Sequence, residues 1–249
     1  MARLEEWLED ILEEGEDLGG NNTHRVVRHN DMVFKHFEAD EGNVEDPSGY
    51  GYHFASQIPN FLDRNEAELT VEEQADRARY AARNQDEIGF RTADLVLDNG
   101  LVHGYEYLDH PSFQEFIDGA LPEEIRTVSR DFGEMLGEVH GNGYALRDLH
   151  YDDILVDREN DELYVIDNEQ LKIDANTVDT VFDQAKFLGH ALLEPVEKSR
   201  AIRTGFREGY DGHVYMGATA AMFYGQKLLF NRDRDKLETG TRNLADEFI

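Results

Sequence analysis

Three acids in this chain fall at a spacing that could serve phosphoryl chemistry. Asp148 follows Arg147 in Leu146-Arg147-Asp148-Leu149-His150-Tyr151-Asp152-Asp153-Ile154-Leu155-Val156. Asp153 closes the polar part of that string, and Asp167 ends the apolar run Leu163-Tyr164-Val165-Ile166. Moving a phosphoryl group requires one carboxylate to orient the attacking hydroxyl and oxygen ligands to hold magnesium on the nucleotide phosphates. With 54 acidic residues in the chain, any one acid carries little weight. The ordered string of loop, apolar triplet, turn, apolar strand and acid is far harder to produce by chance.

The elements that must position these acids are legible from periodicity. Residues 122–140 carry Ile125, Val128, Phe132, Met135, Leu136 and Val139 on one helical face, and that helix ends at His140 just before the loop. Residues 154–156 and 163–166 predict a short hairpin, and helices are expected to dominate from 178 onward. Upstream, Leu4, Trp7, Leu8, Ile11 and Leu12 predict a helix over 3–14, which Gly15, Gly19, Gly20 and Asn21-Asn22 should break. Residues 24–28 and 31–37 predict a hairpin around Asn30-Asp31; residues 93–97 and 101–108 predict another around Asp98-Asn99-Gly100. Residues 69–84 predict a helix with Val71, Ala75, Ala78 and Ala82 on one face. The stretch 38–64 is acidic, carries Gly42, Pro47, Gly49, Gly51 and Pro59, and reads as an excursion. The order is a strand-rich N-terminal third, a connection near 106–112 and a mostly helical remainder.

Gly133-Glu134-Met135-Leu136-Gly137-Glu138-Val139-His140-Gly141-Asn142-Gly143-Tyr144, running into Leu146-Arg147-Asp148-Leu149-His150, resembles the helix and catalytic loop of the protein-kinase-like fold. The form is similar to the His-Gly-Asp-Leu-His-x-x-Asn-Ile-Leu loop of aminoglycoside and choline kinases and atypical protein kinases. Ile166-Asp167-Asn168-Glu169-Gln170 resembles atypical archaeal protein kinases of the RIO type. The resemblance spans about residues 19–37 and 93–190. It implies an α+β, two-lobed fold, with a small strand-rich nucleotide-binding N-lobe at 1–108 (excursion 38–64 included) and a mostly helical C-lobe at 109–249. By position it makes Asp148 the group that accepts or orients the substrate hydroxyl, Asp153 the counterpart of a metal-binding Asn, and Asp167 the principal magnesium ligand. Lys35, in Met32-Val33-Phe34-Lys35-His36-Phe37, resembles the strand lysine that contacts nucleotide phosphates. Gly19, Gly20 and Asn21 resemble a degenerate phosphate loop. Glu73 (or Glu72) on the following helix would be the acidic partner of Lys35, although apolar spacing puts Gln74 at that place. Glu106-Tyr107-Leu108 resembles the linker whose backbone holds adenine, and Asp183 resembles the acid of the helix beneath the catalytic loop. Three departures stand out: Leu146 where a His is common, Asp153 for Asn, and Asn168-Glu169 for Phe-Gly.

Composition bounds the rest. The formal charge is -30, and only six of the 24 basic residues are Lys. Such an acid excess, spread over every segment, suits a protein dissolved in multimolar salt, where the Debye length falls to roughly 3 Å and self-repulsion is screened. An extreme halophile is the expected source. The same charge argues against nucleic acid as a partner. There is no Cys for a disulfide or thiolate site, and no His/acid pair has zincin spacing. Residues 1–14 read as an acidic amphipathic stretch and not a signal peptide, and no apolar run approaches the roughly 20 residues that span a bilayer. The expectation is a cytoplasmic phosphotransferase using ATP and Mg2+. An atypical Ser/Thr protein kinase is favoured; a small-molecule kinase of the aminoglycoside or choline type and a catalytically inactive pseudokinase acting as a binding module are the alternatives.

Overall fold

The computed structural model describes residues 13–21, 24–37, 69–215 and 239–241, together with Trp7, Asp10 and Ile11. The excursion expected at 38–64, Leu4, Leu8 and Leu12 of the first predicted helix, and the expectations beyond 215 other than 239–241 lie outside the described residues. The architecture is mixed α+β. Trp7, Asp10, Ile11, Glu13 and Glu14 are helical. Ile11 packs with Phe34 and Val102, and the Trp7 ring stands edge-on to Phe34 at 6.0 Å.

Strands β1 (Glu16–Asn21), β2 (His24–His29) and β3 (Met32–Phe37) run antiparallel; then come helices α1 (Val71–Arg83) and α2 (Gln85–Ile88), and strands β4 (Leu95–Asn99) and β5 (Val102–Glu106). The sheet order is β1-β2-β3-β5-β4. The two predicted hairpins form with Asn30 at φ +55° and Gly100 at φ +67° in their turns. The helix gives way at Gly15 as expected, and Glu16–Asn21 then form strand β1. A register shift between Asp17 and Gly19 absorbs the irregularity, and Gly19 (φ +102°) sits at it. Ladder bonds from β2 supply what the local sequence lacks, since a bulge needs just such a residue at positive φ.

Beyond β5 the chain forms α3 (Phe113–Gly119), α4 (Pro122–Gly141), β6 (Tyr144–Ala145), a 3-10 turn (Tyr151–Asp153), β7 (Ile154–Asp157), β8 (Glu162–Val165), β9 (Lys172–Ile173), α5 (Thr177–Ala191) and α6 (Val196–Gly209). The α4 face predicted from periodicity buries Ile125, Phe132, Leu136 and Val139 completely. Phe132 stacks on Phe187 of α5 at 4.4 Å, and Phe113 and Phe206 join them. Each such ring is worth roughly 2–3 kcal/mol when fully buried. The same cluster takes in Ala81, Ile88 and Phe90, so it draws on residues from both sides of position 108.

Helices α4 and α6 meet backbone to backbone. A Cβ on Gly205 would stand 2.1 Å from the Arg126 carbonyl oxygen, and one on Gly209 would stand 1.9 Å from that of Arg130. Neither carbonyl can swing away without breaking its own helix. Gly189 of α5, by contrast, has nothing within 4 Å of that position. Gly205→Ala should therefore lower unfolding free energy by about 3 kcal/mol through overpacking. Gly189→Ala should raise it by roughly 0.5–1 kcal/mol through helix propensity. Urea midpoints of the two variants check the pair of signs.

Candidate functional site

The Asp148 loop is shaped by an unusual backbone. Arg147 has φ +66°, and Asp148 N donates to the Leu146 carbonyl at 2.9 Å, a tight three-residue turn. A non-glycine residue in the left-handed region costs on the order of 1–3 kcal/mol and persists only where its surroundings hold it. The holder is Asp183 of α5, fully buried. Its Oδ2 accepts from Leu146 N at 2.7 Å and its Oδ1 from Arg147 N at 2.6 Å. His140, at the end of α4, places Nε2 3.1 Å from Asp183 Oδ2 and Nδ1 2.7 Å from the Tyr210 hydroxyl. The buried Arg147 side chain reaches Asp179, one turn earlier on α5, at 3.6 Å. Asp183 is thus a mid-helix residue; the helix N-cap is Asn176, whose side chain accepts from Val178 N.

From that turn Asp148 projects with its side chain partly exposed. Its carboxylate accepts from Lys186 Nζ at 2.8 Å, and His150 Nε2 lies 3.3 Å from the same oxygen. Burial opposes ionisation there, but His150 and Lys186 outweigh it and hold the carboxyl well below the usual carboxylate range. The 3-10 turn carries Asp153, whose Oδ2 accepts from His150 N at 2.8 Å. Burial first, then the neighbouring Asp167 charge, push the Asp153 carboxyl up to about 8, against the pull of that His150 hydrogen bond. Asp167, at φ +60° just past β8, belongs to the same acid group.

Lys35 of β3 meets the same acid group. Its ammonium bonds Asp167 and, at 2.7 Å, Glu169 Oε2. Burial works against the charged lysine, yet Glu169 and Asp167 together keep its pKa above the ordinary value. Burial drives the Glu169 carboxyl upward while Lys35 pulls it back. The expected pairing of Lys35 with Glu73 is corrected: Glu73 is engaged at the start of α1, where its Oε2 accepts from Thr70 N at 2.8 Å and its own N–H donates to Thr70 Oγ1 at 3.2 Å. A capping box of this kind satisfies two helix-end donors, so the local sequence holds Glu73 at the cap. Gln74 is buried and donates to the Leu69 carbonyl at 3.3 Å.

A cleft of about 490 Å³ joins these groups. Lys35, Asp153, Asp167, Glu106 and Leu108 all line it, as do the apolar side chains Leu18, Val26, Val33, Leu155 and Ile166. Glu106 N donates to the Asp94 carbonyl and Tyr107 N to that of Asp31, so these two linker amides are engaged within the fold. Gly19, Gly20 and Asn21 pair with Val26, Arg25 and His24 in the β1–β2 ladder, and Gly19 N donates to Asp17 Oδ1 at 2.9 Å, so the expected loop is a strand here. Its continuation at Asn22-Thr23 lies outside the described residues.

Sequence reasoning missed Glu169, Lys186 and the apolar walls of the cleft. Lys186 had a usable signal: it lies one helical turn from Asp183, between Ala185 and Phe187, in a chain with few lysines. Glu169 had none, because it bonds Lys35 across 134 positions. Among the described residues no group of three or more His, Asp or Glu side chains is placed to hold a metal ion, and no helix is long and apolar enough to cross a membrane. The chain matches no protein-family model and no curated protein.

The Asp153 environment generates a pH prediction. The folded chain keeps a proton on Asp153 up to about pH 8, whereas an unfolded Asp releases it near pH 4. This group therefore contributes stability that is fully present below about pH 4 and lost as pH rises through about 8. Asp153→Asn, which mimics the protonated form, should gain on the parent protein progressively from pH 4 to 8 and then level off. Urea unfolding across pH 4 to 9 without divalent cations measures it; a difference independent of pH would contradict the assignment.

Proposed function

We propose that this chain is an ATP- and Mg2+-dependent phosphotransferase with a two-lobed protein-kinase-like fold, moving the γ-phosphoryl group of ATP to a hydroxyl. The observation that carries the proposal is convergence. Lys35 from β3, Asp153 from the 3-10 turn and Asp167 after β8 line one cleft with apolar walls, and Asp148 stands near enough for its charge to act on Asp153. The volume suits a small-molecule ligand. The apolar lining of Leu18, Val26, Val33, Leu155 and Ile166 is suited to a flat base.

The residues fit magnesium by one specific test. Burial first, and then the Asp167 charge, raise the Asp153 carboxyl to about 8, and a divalent cation held by the two acids would offset the Asp167 part of that repulsion. Magnesium is commonly held by one or two carboxylates plus substrate phosphates, so two acids suffice. When bound, the ion would neutralise charge developing on the phosphates. The protein's own part is positioning. Lys35 would draw a phosphate oxygen; Asp148 would accept a hydrogen bond from the acceptor hydroxyl and aim its oxygen at phosphorus. Held well below the usual range, Asp148 is a weak base, which suits a loose transition state in which the hydroxyl loses its proton late. We take the acceptor to be a Ser or Thr hydroxyl of a protein, on the resemblance of Ile166-Asp167-Asn168-Glu169-Gln170; transfer to small-molecule hydroxyls is the competing assignment.

One observation favours a second reading. Lys35 already bonds Asp167, the proposed metal ligand, as a nucleotide-binding module without turnover could tolerate. Calorimetric ATP binding with and without Mg2+, paired with ADP release in multimolar KCl, separates the readings. The proposal expects Mg2+-dependent binding and ADP release, with Asp167→Ala abolishing the Mg2+ dependence and lowering turnover about 100-fold or more. Binding without ADP release would favour the second reading. No nucleotide binding would overturn both.

A further inference from the structure

Helix α5 sends two charged side chains into the same loop from adjacent turns. Asp183 grips the backbone at Leu146 and Arg147, and Lys186 grips the side chain of Asp148, Nζ to Oδ1 at 2.8 Å. Lys186 Nζ also lies 3.3 Å from His150 Nε2. The exposures differ sharply: the Lys186 side chain is 8% exposed and that of Asp148 is 43%. The ammonium therefore sits on the inner side of the carboxylate, and the carboxylate opens outward.

Stability alone accounts poorly for this arrangement. An ion pair with one partner this exposed contributes little, while confining a long lysine chain removes up to about 2 kcal/mol of rotamer entropy. Yet a chain with six lysines in 249 residues keeps one here, nearly buried, with Phe182 5.9 Å from its ammonium. The charge distribution supplies a reason. The charges of Asp148, Asp167 and Glu169 all act on Asp153, while Lys35 is engaged with Asp167 and Glu169. Lys186 is the lysine that serves the Asp148 side.

We propose that Lys186 is the positioning residue for Asp148 in phosphoryl transfer: it pins Oδ1 from within so that the exposed side of the carboxylate meets the acceptor hydroxyl. The inference rests on the phosphotransferase reading above. In the step it supports, the hydroxyl oxygen forms a bond to the γ-phosphorus. The bond from that phosphorus to the bridging oxygen breaks, and its electron pair stays on the departing ADP. The hydroxyl proton passes to Asp148 and then to water. Lys186 exchanges no atom; it fixes the angle of the acceptor oxygen.

The test uses the full chain with Mg2+-ATP as the probe, reading ADP release, ATP affinity by calorimetry and the thermal midpoint. The variants are Lys186→Met, Lys186→Arg and, as a control, Lys198→Met, whose lysine bonds the Asp118 carbonyl far from the cleft. Lys186→Met should lower kcat about 100-fold with KM and Kd for ATP within about threefold of the parent, the pattern of an interaction expressed in the transition state. Lys186→Arg should restore kcat to within about tenfold of the parent, since the guanidinium keeps the charge and donors. Lys198→Met should change nothing. If Lys186→Met fails to fold, Lys186→Arg still decides: a folded Arg variant whose kcat lies about 100-fold or more below the parent overturns the inference. An active parent whose Lys186→Met variant keeps kcat within about threefold overturns the inference alone. A parent that binds ATP without releasing ADP overturns the phosphotransferase reading and this inference with it.

Discussion

The grip of one buried carboxylate on two consecutive backbone amides is the constraint from which the site follows. Asp183 has no water to hydrogen-bond, so its oxygens must be satisfied by protein donors, and an unsatisfied one would cost on the order of 1–3 kcal/mol. Leu146 N and Arg147 N supply two donors, and His140 lies against the same group. In return the Arg147 backbone is held at φ +66°, a conformation it would abandon in a free peptide, and that turn sets the direction in which Asp148 leaves the chain. The same helix carries Phe187 in the centre of the aromatic core, so the loop is tied to the best-packed part of the molecule. His140 and Tyr210 extend the connection to the ends of α4 and α6.

Electrostatics then decides what the cleft can do. A chain of charge -30 concentrates Asp148, Asp153, Asp167 and Glu169 in one region, and desolvation makes the charges of Asp148, Asp153 and Glu169 more expensive than on the surface. Lys35, paired with Glu169, and Lys186, paired with Asp148, each offset part of the excess. The remainder falls on Asp153, whose carboxyl is pushed up to about 8. In the proposed function a divalent cation and the phosphates it accompanies complete this charge balance, which is why acids unfavourable to stability would be retained. Strongly perturbed carboxyls in a cleft are a common mark of functional sites.

Much of this was legible before the structure. The buried face of α4 follows from apolar residues at helical spacing, and the hairpins from Asn30-Asp31 and Asp98-Asn99-Gly100, because those signals are local. The convergence of Lys35, Asp153 and Asp167 was what the resemblance to the protein-kinase-like fold implied. What was not legible depends on distant partners. Gly19-Gly20-Asn21 reads as a turn, and becomes a strand only because β2 supplies a ladder and a bulge takes up the glycine. Glu73 was the partner of Lys35 that the kinase-like resemblance implied, against an apolar spacing that favoured Gln74, but the Thr70 cap lies three residues away and needs no tertiary contact. Glu169, two positions past Asp167, becomes the partner only because the chain folds back at Asp167 with positive φ.

Amide hydrogen exchange at Leu146 and Arg147, compared between the parent protein and Asp183→Asn, tests the central claim most directly. An Asn side chain fills the same space but offers one acceptor oxygen instead of two. The account predicts slow exchange at both amides in the parent, near that of the α5 interior, and loss of protection of at least one of them by about 100-fold or more in the variant, equivalent to roughly 3 kcal/mol of local opening energy. Unchanged protection at both amides, with the fold intact, would contradict it.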